Sequence, residues 1–212
     1  SQASGSVVAG NLIGLNAAGT AAMGNMWGGV SIDSANNTIG GTTATARNVI
    51  AGNNGSGITL SGASATTNGV IGNYIGTNAA GTGDVNGTTK TDGRSGVVMD
   101  AGASNNRIGT NPAGSGSDIN NDANGGDGII LSGTAAPPSS LPNIQALIDD
   151  PPANFGEIAA FSTLVQAALT VIANPTTITG NLISGNNGDG IELFTPSTVN
   201  VFILGNIIGT NQ

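Results

Sequence analysis

The sequence predicts an all-β solenoid of short parallel strands that is interrupted by one helical insertion. Two repeated phrases predict the strands. A glycine followed by two apolar residues that flank one variable residue occurs five times, and a Gly-Asn pair lies between apolar residues four times. Composition agrees, because 36 glycines combined with 38% apolar residues are typical of many short strands separated by tight turns, and not of a disordered chain.

The five-copy phrase predicts one strand in each repeat. Its alternation places both apolar side chains on one face of the strand and the variable residue on the other face. The predicted inward residues are Val30 and Ile32, Ile58 and Leu60, Val97 and Met99, Ile129 and Leu131, and Ile191 and Leu193. The predicted outward column consists of Ser31, Thr59, Val98, Ile130 and Glu192.

The Gly-Asn phrase predicts two further strands in each repeat, joined at a sharp corner, because glycine and asparagine tolerate left-handed backbone. One predicted sheet contains Val8, Val70, Ile178 and Ile203. Another contains Ile13, Ile50, Ile75, Ile183 and Ile208. Each repeat then contributes three strands and contacts only its neighbours, so stability is expected to be distributed along the stack.

These phrases resemble the right-handed parallel β-helix repeat family over nearly the whole chain outside the insertion. "NNTIGGTTATARNVIAGN" and "IGTNAAGT" are further similar to tandem repeats of large bacterial surface and secreted proteins. The resemblance implies three sheets around a dry core, with coils at residues 1–135 and 177–212 forming one domain. It also implies a hydrogen-bonded ladder at one corner, formed by Asn11, Asn48, Asn73, Asn181 and Asn206.

Residues 136–176 are predicted to form a two-helix insertion. The strand alternation stops there, and apolar residues recur at helical spacing after a capping box at Asn154 and Glu157. The apolar stripe either packs on a flank of the coils or forms a contact surface for a partner. The sequence leaves both interpretations open.

Composition removes several classes of function. The chain has no histidine and no cysteine, so neither a histidine-based triad nor a thiol nucleophile is available. A net charge of −8 with only four basic residues argues against a nucleic-acid partner. No apolar run is long enough to cross a bilayer, so membrane insertion is not expected.

Carbohydrate chemistry would require clustered carboxylates, usually with a basic partner. The outward column offers a single carboxylate, Glu192, and no base. We therefore predict no catalytic residues and no enzyme activity, although a polysaccharide lyase or hydrolase is not excluded.

One stretch, "SDINNDANGGDG", is a candidate metal site. Oxygen-bearing side chains alternate with residues that let the chain curl, as in the Asp/Asn-rich Ca²⁺ loops of extracellular proteins. The candidate ligands are Asp118, Asn120, Asp122, Asn124 and Asp127. The stretch lacks a terminal bidentate glutamate, and Asp127 occupies the position of Ser56 and Asp189 in other repeats. A Ca²⁺ site and a solvated turn are therefore both open; no other cofactor is predicted.

We expect an extracellular or cell-surface scaffold with a structural or adhesive role, as in an adhesin or a fibre. The alternative is a carbohydrate-binding or polysaccharide-acting protein, although Trp27 and Tyr74 are the only large aromatics with a polar group. Neither Ser1 nor Gln212 lies in a predicted cap. Unpaired strand edges predict end-to-end self-association or adjoining coils of a longer parent chain, and a polysaccharide is the other candidate partner.

Overall fold

The computed structural model describes residues 4–83, 85, 95–109, 118–120, 129–131, 176–184, 186, 188–194, 198 and 201–209. Every regular element in these ranges is a β-strand. A search of the same ranges for a helix able to span a membrane finds none.

The strands form three sheets. The first contains β1 (Val7–Val8), β4 (Thr38–Gly40), β7 (Gly69–Ile71), β10 (Arg107–Ile108), β13 (Thr176–Thr179) and β16 (Val201–Leu204). The second contains β2 (Leu12–Ile13), β5 (Val49–Ile50), β8 (Tyr74–Ile75), β11 (Asp118–Asn120), β14 (Leu182–Ser184) and β17 (Ile207–Ile208). The third contains β3 (Val30–Ile32), β6 (Ile58–Ser61), β9 (Val97–Asp100), β12 (Ile129–Leu131) and β15 (Ile191–Leu193).

Successive strands of the chain belong to the first, second and third sheets in turn, and this order repeats along the chain. Each strand pairs in parallel with the strand three places later in the chain, as β1 does with β4 and β3 with β6. We call one pass through the three sheets a coil, so β1 to β3 form coil 1 and β16 and β17 belong to coil 6. The prediction of an all-β fold with stacked parallel strands is confirmed, and the arrangement is compatible with a solenoid.

The core lies between the three sheets. In the third sheet the strand register aligns the predicted inward residues with one another, for example Ile58 with Val97 and Leu60 with Met99. The largest fully buried side chains come from all three sheets: Ile39, Ile50, Ile58, Leu60, Ile75, Met99, Ile108, Ile129, Ile178 and Ile183. The assignment of apolar residues to sheets is therefore confirmed wherever the register is described.

Two inward residues of the first sheet were not predicted from the sequence. Ile39 pairs with Val8 and Val70, and Ile108 pairs with Val70 and Ile178, so these two isoleucines complete the column. Both are followed by glycine, but neither is followed by a Gly-Asn pair, so the Gly-Asn phrase does not identify them. Their signal is the phrase Asn-x-Ile-Gly, which the two share.

Most of the predicted two-helix insertion, residues 136–175, lies outside the described residues. Its last predicted residue, Thr176, begins strand β13, so the coils resume one residue earlier than expected. Among the described residues no helix occurs.

Where no long loop intervenes, equivalent asparagines of successive coils are 25 residues apart, as for Asn48 and Asn73.

The repeated phrase NAAGT forms a closed loop after β2 and again after β8. Asn16 Oδ1 accepts hydrogen bonds from the Thr20 and Ala21 N–H groups, and Asn78 Oδ1 accepts one from Thr82. The Ala79 N–H donates to the Gly19 carbonyl at 2.9 Å, so the two loops contact each other across coil 2, which lacks this loop. The phrase therefore recurs because it builds a self-capped surface loop.

Candidate functional site

The candidate Ca²⁺ ligands are described only in part. Asp118 and Asn120 lie in strand β11, where they pair with Leu182 and Ser184 of β14. Asp122, Asn124 and Asp127 lie outside the described residues, so the site remains a prediction, which calcium titration of the wild-type chain and of Asp122→Ala can test.

The outward column of the third sheet has the predicted register. Ser31 pairs with Thr59, Thr59 with Val98, and Ile130 with both Val98 and Glu192. Glu192, which is half-buried, is the one carboxylate among the residues of this column. In the part of the chain that the structure describes, no three acidic residues come close enough to hold a metal ion.

The predicted asparagine ladder forms at the corner between the first and second sheets. Asn11 Nδ2 donates to Asn48 Oδ1 at 3.0 Å, and Asn48 Nδ2 donates to Asn73 Oδ1 at 2.9 Å. Farther along the stack, Asn181 Nδ2 donates to Asn206 Oδ1 at 2.9 Å. The sequence has Ser117, not asparagine, directly before β11 of coil 4. Among the described residues, the buried Asn181 Oδ1 has no hydrogen-bond partner.

Three of the ladder asparagines, Asn48, Asn73 and Asn206, each join two neighbouring coils through the same set of bonds. Asn73 Oδ1 accepts from both the backbone N–H and Nδ2 of Asn48, while its own Nδ2 donates to the Ile39 carbonyl at 2.9 Å. The side chain thereby satisfies polar groups that the corner removes from the strand ladders. Because a buried unsatisfied donor or acceptor costs about 1–3 kcal/mol, these amides are structural elements of the stack.

The other two corners carry asparagine hydrogen bonds that the sequence did not predict, a ladder of three residues at one corner and a single pair at the other. Between the third and first sheets, Asn37 Nδ2 donates to Asn68 Oδ1 at 3.0 Å, and Asn68 Nδ2 donates to Asn106 Oδ1 at 3.1 Å. Between the second and third sheets, Asn25 Nδ2 donates to Asn53 Oδ1 at 3.0 Å. All three corners of the stack are therefore hydrogen-bonded by asparagine.

We call the corner between the third and first sheets the third corner. There, and at the corner between the first and second sheets, the residue before a ladder asparagine adopts left-handed backbone with one exception, but different residue types occupy the two positions. At the corner between the first and second sheets, a glycine with positive φ precedes every ladder asparagine except Asn48, as Gly10 and Gly72 do, whereas Asn48 follows Arg47. At the third corner, the preceding residue is Asn36, Thr67 or Asn105, with φ of 62°, 59° and 55°. Left-handed backbone is ordinary for asparagine but unfavourable for a β-branched residue, so Thr67 is strained.

We expect Thr67→Asn to raise the free energy of unfolding by about 1 kcal/mol, because asparagine occupies the equivalent left-handed position in the neighbouring coils. Urea denaturation followed by circular dichroism measures the change. Thr59→Asn, which changes an outward strand residue in the middle of a sheet, is the control and should not stabilise the protein. Equal changes in both variants would contradict the strain at Thr67.

A surface groove of about 320 Å³ follows this third corner. Asn36, Thr67 and Asn105 line the groove, each from a successive coil. Gly69 lies between Thr38 and Arg107 in the strand register and has no side chain, so its backbone forms part of the groove surface. Its lining contains one cation, Arg107, and no carboxylate. Chemically, the groove offers amide and hydroxyl groups and one positive charge to an extended polar ligand.

The two large aromatics with a polar group are in different environments. The Arg47 guanidinium lies 3.9 Å from the centre of the Tyr74 ring, and Arg47 Nε donates to the Gly72 carbonyl at 3.2 Å. One face of Tyr74 is therefore covered by a cation. Trp27 is exposed, at the start of the third sheet in coil 1.

Apolar side chains are uncovered at both ends of the stack. In coil 6, Ile203 and Ile208 are 39% and 47% exposed, whereas their neighbours one coil back, Ile178 and Ile183, are fully buried. At the opposite end, a depression of about 200 Å³ is lined by residues that include Val8, Val30, Ile32 and Ile39. In the part of the chain that the structure describes, no layer covers the inward columns at either end.

Comparison of the sequence with protein-family models finds no match, and neither the curated proteins nor the solved structures include one that is significantly similar.

Proposed function

We propose that this chain is a non-enzymatic structural scaffold, a right-handed, three-sheet parallel β-helix that acts outside the cell and stacks end to end into a fibre or an adhesive surface layer. A fold-level likeness does not by itself specify a function, so the proposal depends on particular surfaces of the molecule.

The observation that carries the proposal is the exposure of apolar residues on both end faces. Ile203 and Ile208 continue columns that are fully buried one coil earlier, and among the described strands β1 and β16 each have one neighbour. Exposed apolar surface next to unpaired strand edges favours the addition of another coil, supplied by a second copy or by adjoining coils of a longer parent chain. The asparagine side chains support a structural role, because they join neighbouring coils by hydrogen bonds at each of the three corners.

We expect the purified chain to associate in a concentration-dependent manner. Sedimentation velocity over a hundredfold range of concentration should show a shift from monomers to elongated oligomers, and electron microscopy should show filaments as wide as one chain. Purely monomeric behaviour over the whole range would contradict the proposal.

The groove along the third corner favours a second candidate, a carbohydrate-binding protein. Its polar lining, with Asn36, Thr67, Asn105 and Arg107, suits the hydroxyl and carboxylate groups of a polysaccharide. Binding on a glycan array that weakens in Arg107→Ala would support this candidate. Binding that is unchanged in the variant would place the ligand elsewhere.

A further inference from the structure

Gly69 begins strand β7 at an outward position where the fold does not require glycine. The strand register aligns it with Thr38 of coil 2 and Arg107 of coil 4, which follow the same corner and carry side chains. Its φ lies outside the left-handed region, and an added Cβ would meet only the flexible end of the Ile71 side chain, at 3.2 Å. Glycine in a strand weakens the strand and often marks the close approach of a ligand. Packing within the chain therefore does not explain this glycine.

Thr67, two residues earlier, also departs from the pattern of its neighbours. Coils 2 and 4 have asparagine at this left-handed position, whereas Thr67 is β-branched and strained there. Strained backbone of this kind clusters at ligand sites. The threonine side chain is also shorter than asparagine, just as Gly69 is shorter than the residues beside it. Two departures from local preference, close together in coil 3, are expected where a ligand site shapes the sequence.

These two short residues form the floor of the groove along the third corner. The walls are side chains of the coils on either side, Asn36 and Thr38 in coil 2, and Asn105 and Arg107 in coil 4. Ile71 adds an apolar contact to the floor. Since the walls are two strand spacings apart, their backbones are separated by about 9–10 Å. A notch of this width, with a volume of about 320 Å³, accommodates a sugar ring.

The polar groups of the walls are available to a ligand. Within the described residues, the side-chain amides of Asn36 and Asn105 form no hydrogen bond, unlike those of the ladder asparagines beside them. Arg107 is exposed and has no ion pair with a described residue, whereas Arg47 covers the Tyr74 ring. The lining contains no carboxylate, although the chain has a net charge of −8. A guanidinium without a partner suits a carboxylate or sulfate group, which it binds through two hydrogen bonds.

We infer that the groove binds an acidic sugar residue of a polysaccharide, with the sugar ring over Gly69 and Ile71 and its carboxylate or sulfate group on Arg107. The amides of Asn36 and Asn105 bind the ring hydroxyls. This inference rests on the second proposed function, carbohydrate binding, and adds the class of sugar and the residues that select it. All of the groove residues belong to the inner coils 2, 3 and 4, so the site does not depend on what adjoins either end of the stack.

Oligosaccharides with and without acidic groups test the class of sugar. Hexasaccharides of galacturonate, alginate and hyaluronate are each compared with their carboxyl-reduced forms by isothermal titration calorimetry, and dextran sulfate is compared with dextran. At least one acidic probe should bind at least about tenfold more tightly than its neutral form, because the neutral form lacks the partner of the guanidinium. Arg107→Gln should abolish this preference. Arg47→Gln removes the same charge on another face and should retain it.

Gly69→Thr tests the floor of the groove. It gives coil 3 the residue that coil 2 has at the same register position, so the fold should be retained while the notch is filled. The acidic probe should then bind at least about tenfold more weakly. Ser61→Thr, which enlarges an outward residue of the third sheet, is the matched control and should bind as the wild type does. Thr67→Asn should also weaken binding although it is expected to stabilise the fold, a combination that unfolding cannot produce.

The outcomes separate the inference from the proposed function beneath it. If acidic and neutral probes bound equally and Gly69→Thr weakened both, the acidic class would be wrong and carbohydrate binding would stand. Binding that neither Gly69→Thr nor Arg107→Gln weakens would overturn the site while leaving carbohydrate binding in place. A wild-type chain that binds none of the probes would overturn both.

Discussion

We expect Gly40→Ala to lower the free energy of unfolding by about 3–5 kcal/mol, enough to abolish folding if the chain is marginally stable. Gly40 ends strand β4 with φ of 87°, a conformation that costs an alanine about 1–2 kcal/mol. A Cβ there would also collide with the Ile71 carbonyl oxygen and the Asn73 side chain of the next coil. The collision strikes a ladder residue, so the neighbouring coil cannot relax without losing hydrogen bonds.

Gly62→Ala separates the cost of the left-handed backbone from the cost of the steric collision. Gly62 has nearly the same φ, 93°, but a Cβ there would meet nothing within 4 Å. Its cost should therefore be the backbone term alone, about 1 kcal/mol. Circular dichroism in urea is the suitable probe, because the single tryptophan, Trp27, is exposed and would report poorly on the core. Similar losses in both variants would mean that the coils move apart easily at this corner.

The sequence predicted the strands well because alternation directly reports which side chains are buried. Every predicted column agrees with the described strand register. The sequence analysis did not predict two inward residues, Ile39 and Ile108. The residues that follow them include glycine but lack the Gly-Asn pair that marks the other copies of the motif. A search for apolar residues alone, without the corner motif, would have found both.

The ladders were harder to predict. The corner at Asn73 repeats the Gly-Asn pair, which is visible as a motif, whereas the third corner places Asn36, Thr67 and Asn105 in left-handed backbone before Asn37, Asn68 and Asn106. Both asparagine and threonine occupy the left-handed position at this corner, so the sequence shows no constant residue pair there. The hydrogen-bond partners of each ladder asparagine depend on geometry that only coordinates provide, as the bonds of Asn11 and Asn206 illustrate.

We expect Asn73→Ala to cost about 2–4 kcal/mol of unfolding free energy. The side chain is fully buried, and its loss would leave the Asn48 backbone N–H, one Asn48 Nδ2 hydrogen and the Ile39 carbonyl without their bonds. Water cannot readily replace these partners in a dry corner, so the desolvation penalty of each group contributes. The midpoint of urea denaturation should fall accordingly.

Asn16→Ala is the matched comparison, because Asn16 Oδ1 also accepts two backbone N–H bonds, from Thr20 at 2.9 Å and from Ala21 at 3.3 Å, but does so in an exposed loop. Solvent can satisfy those donors after truncation, so the cost should stay at or below about 1 kcal/mol. The difference between the two variants measures what burial adds to an asparagine that bridges coils. If Asn73→Ala cost no more than Asn16→Ala, the corner would have to admit water, and the ladders would not hold the coils together.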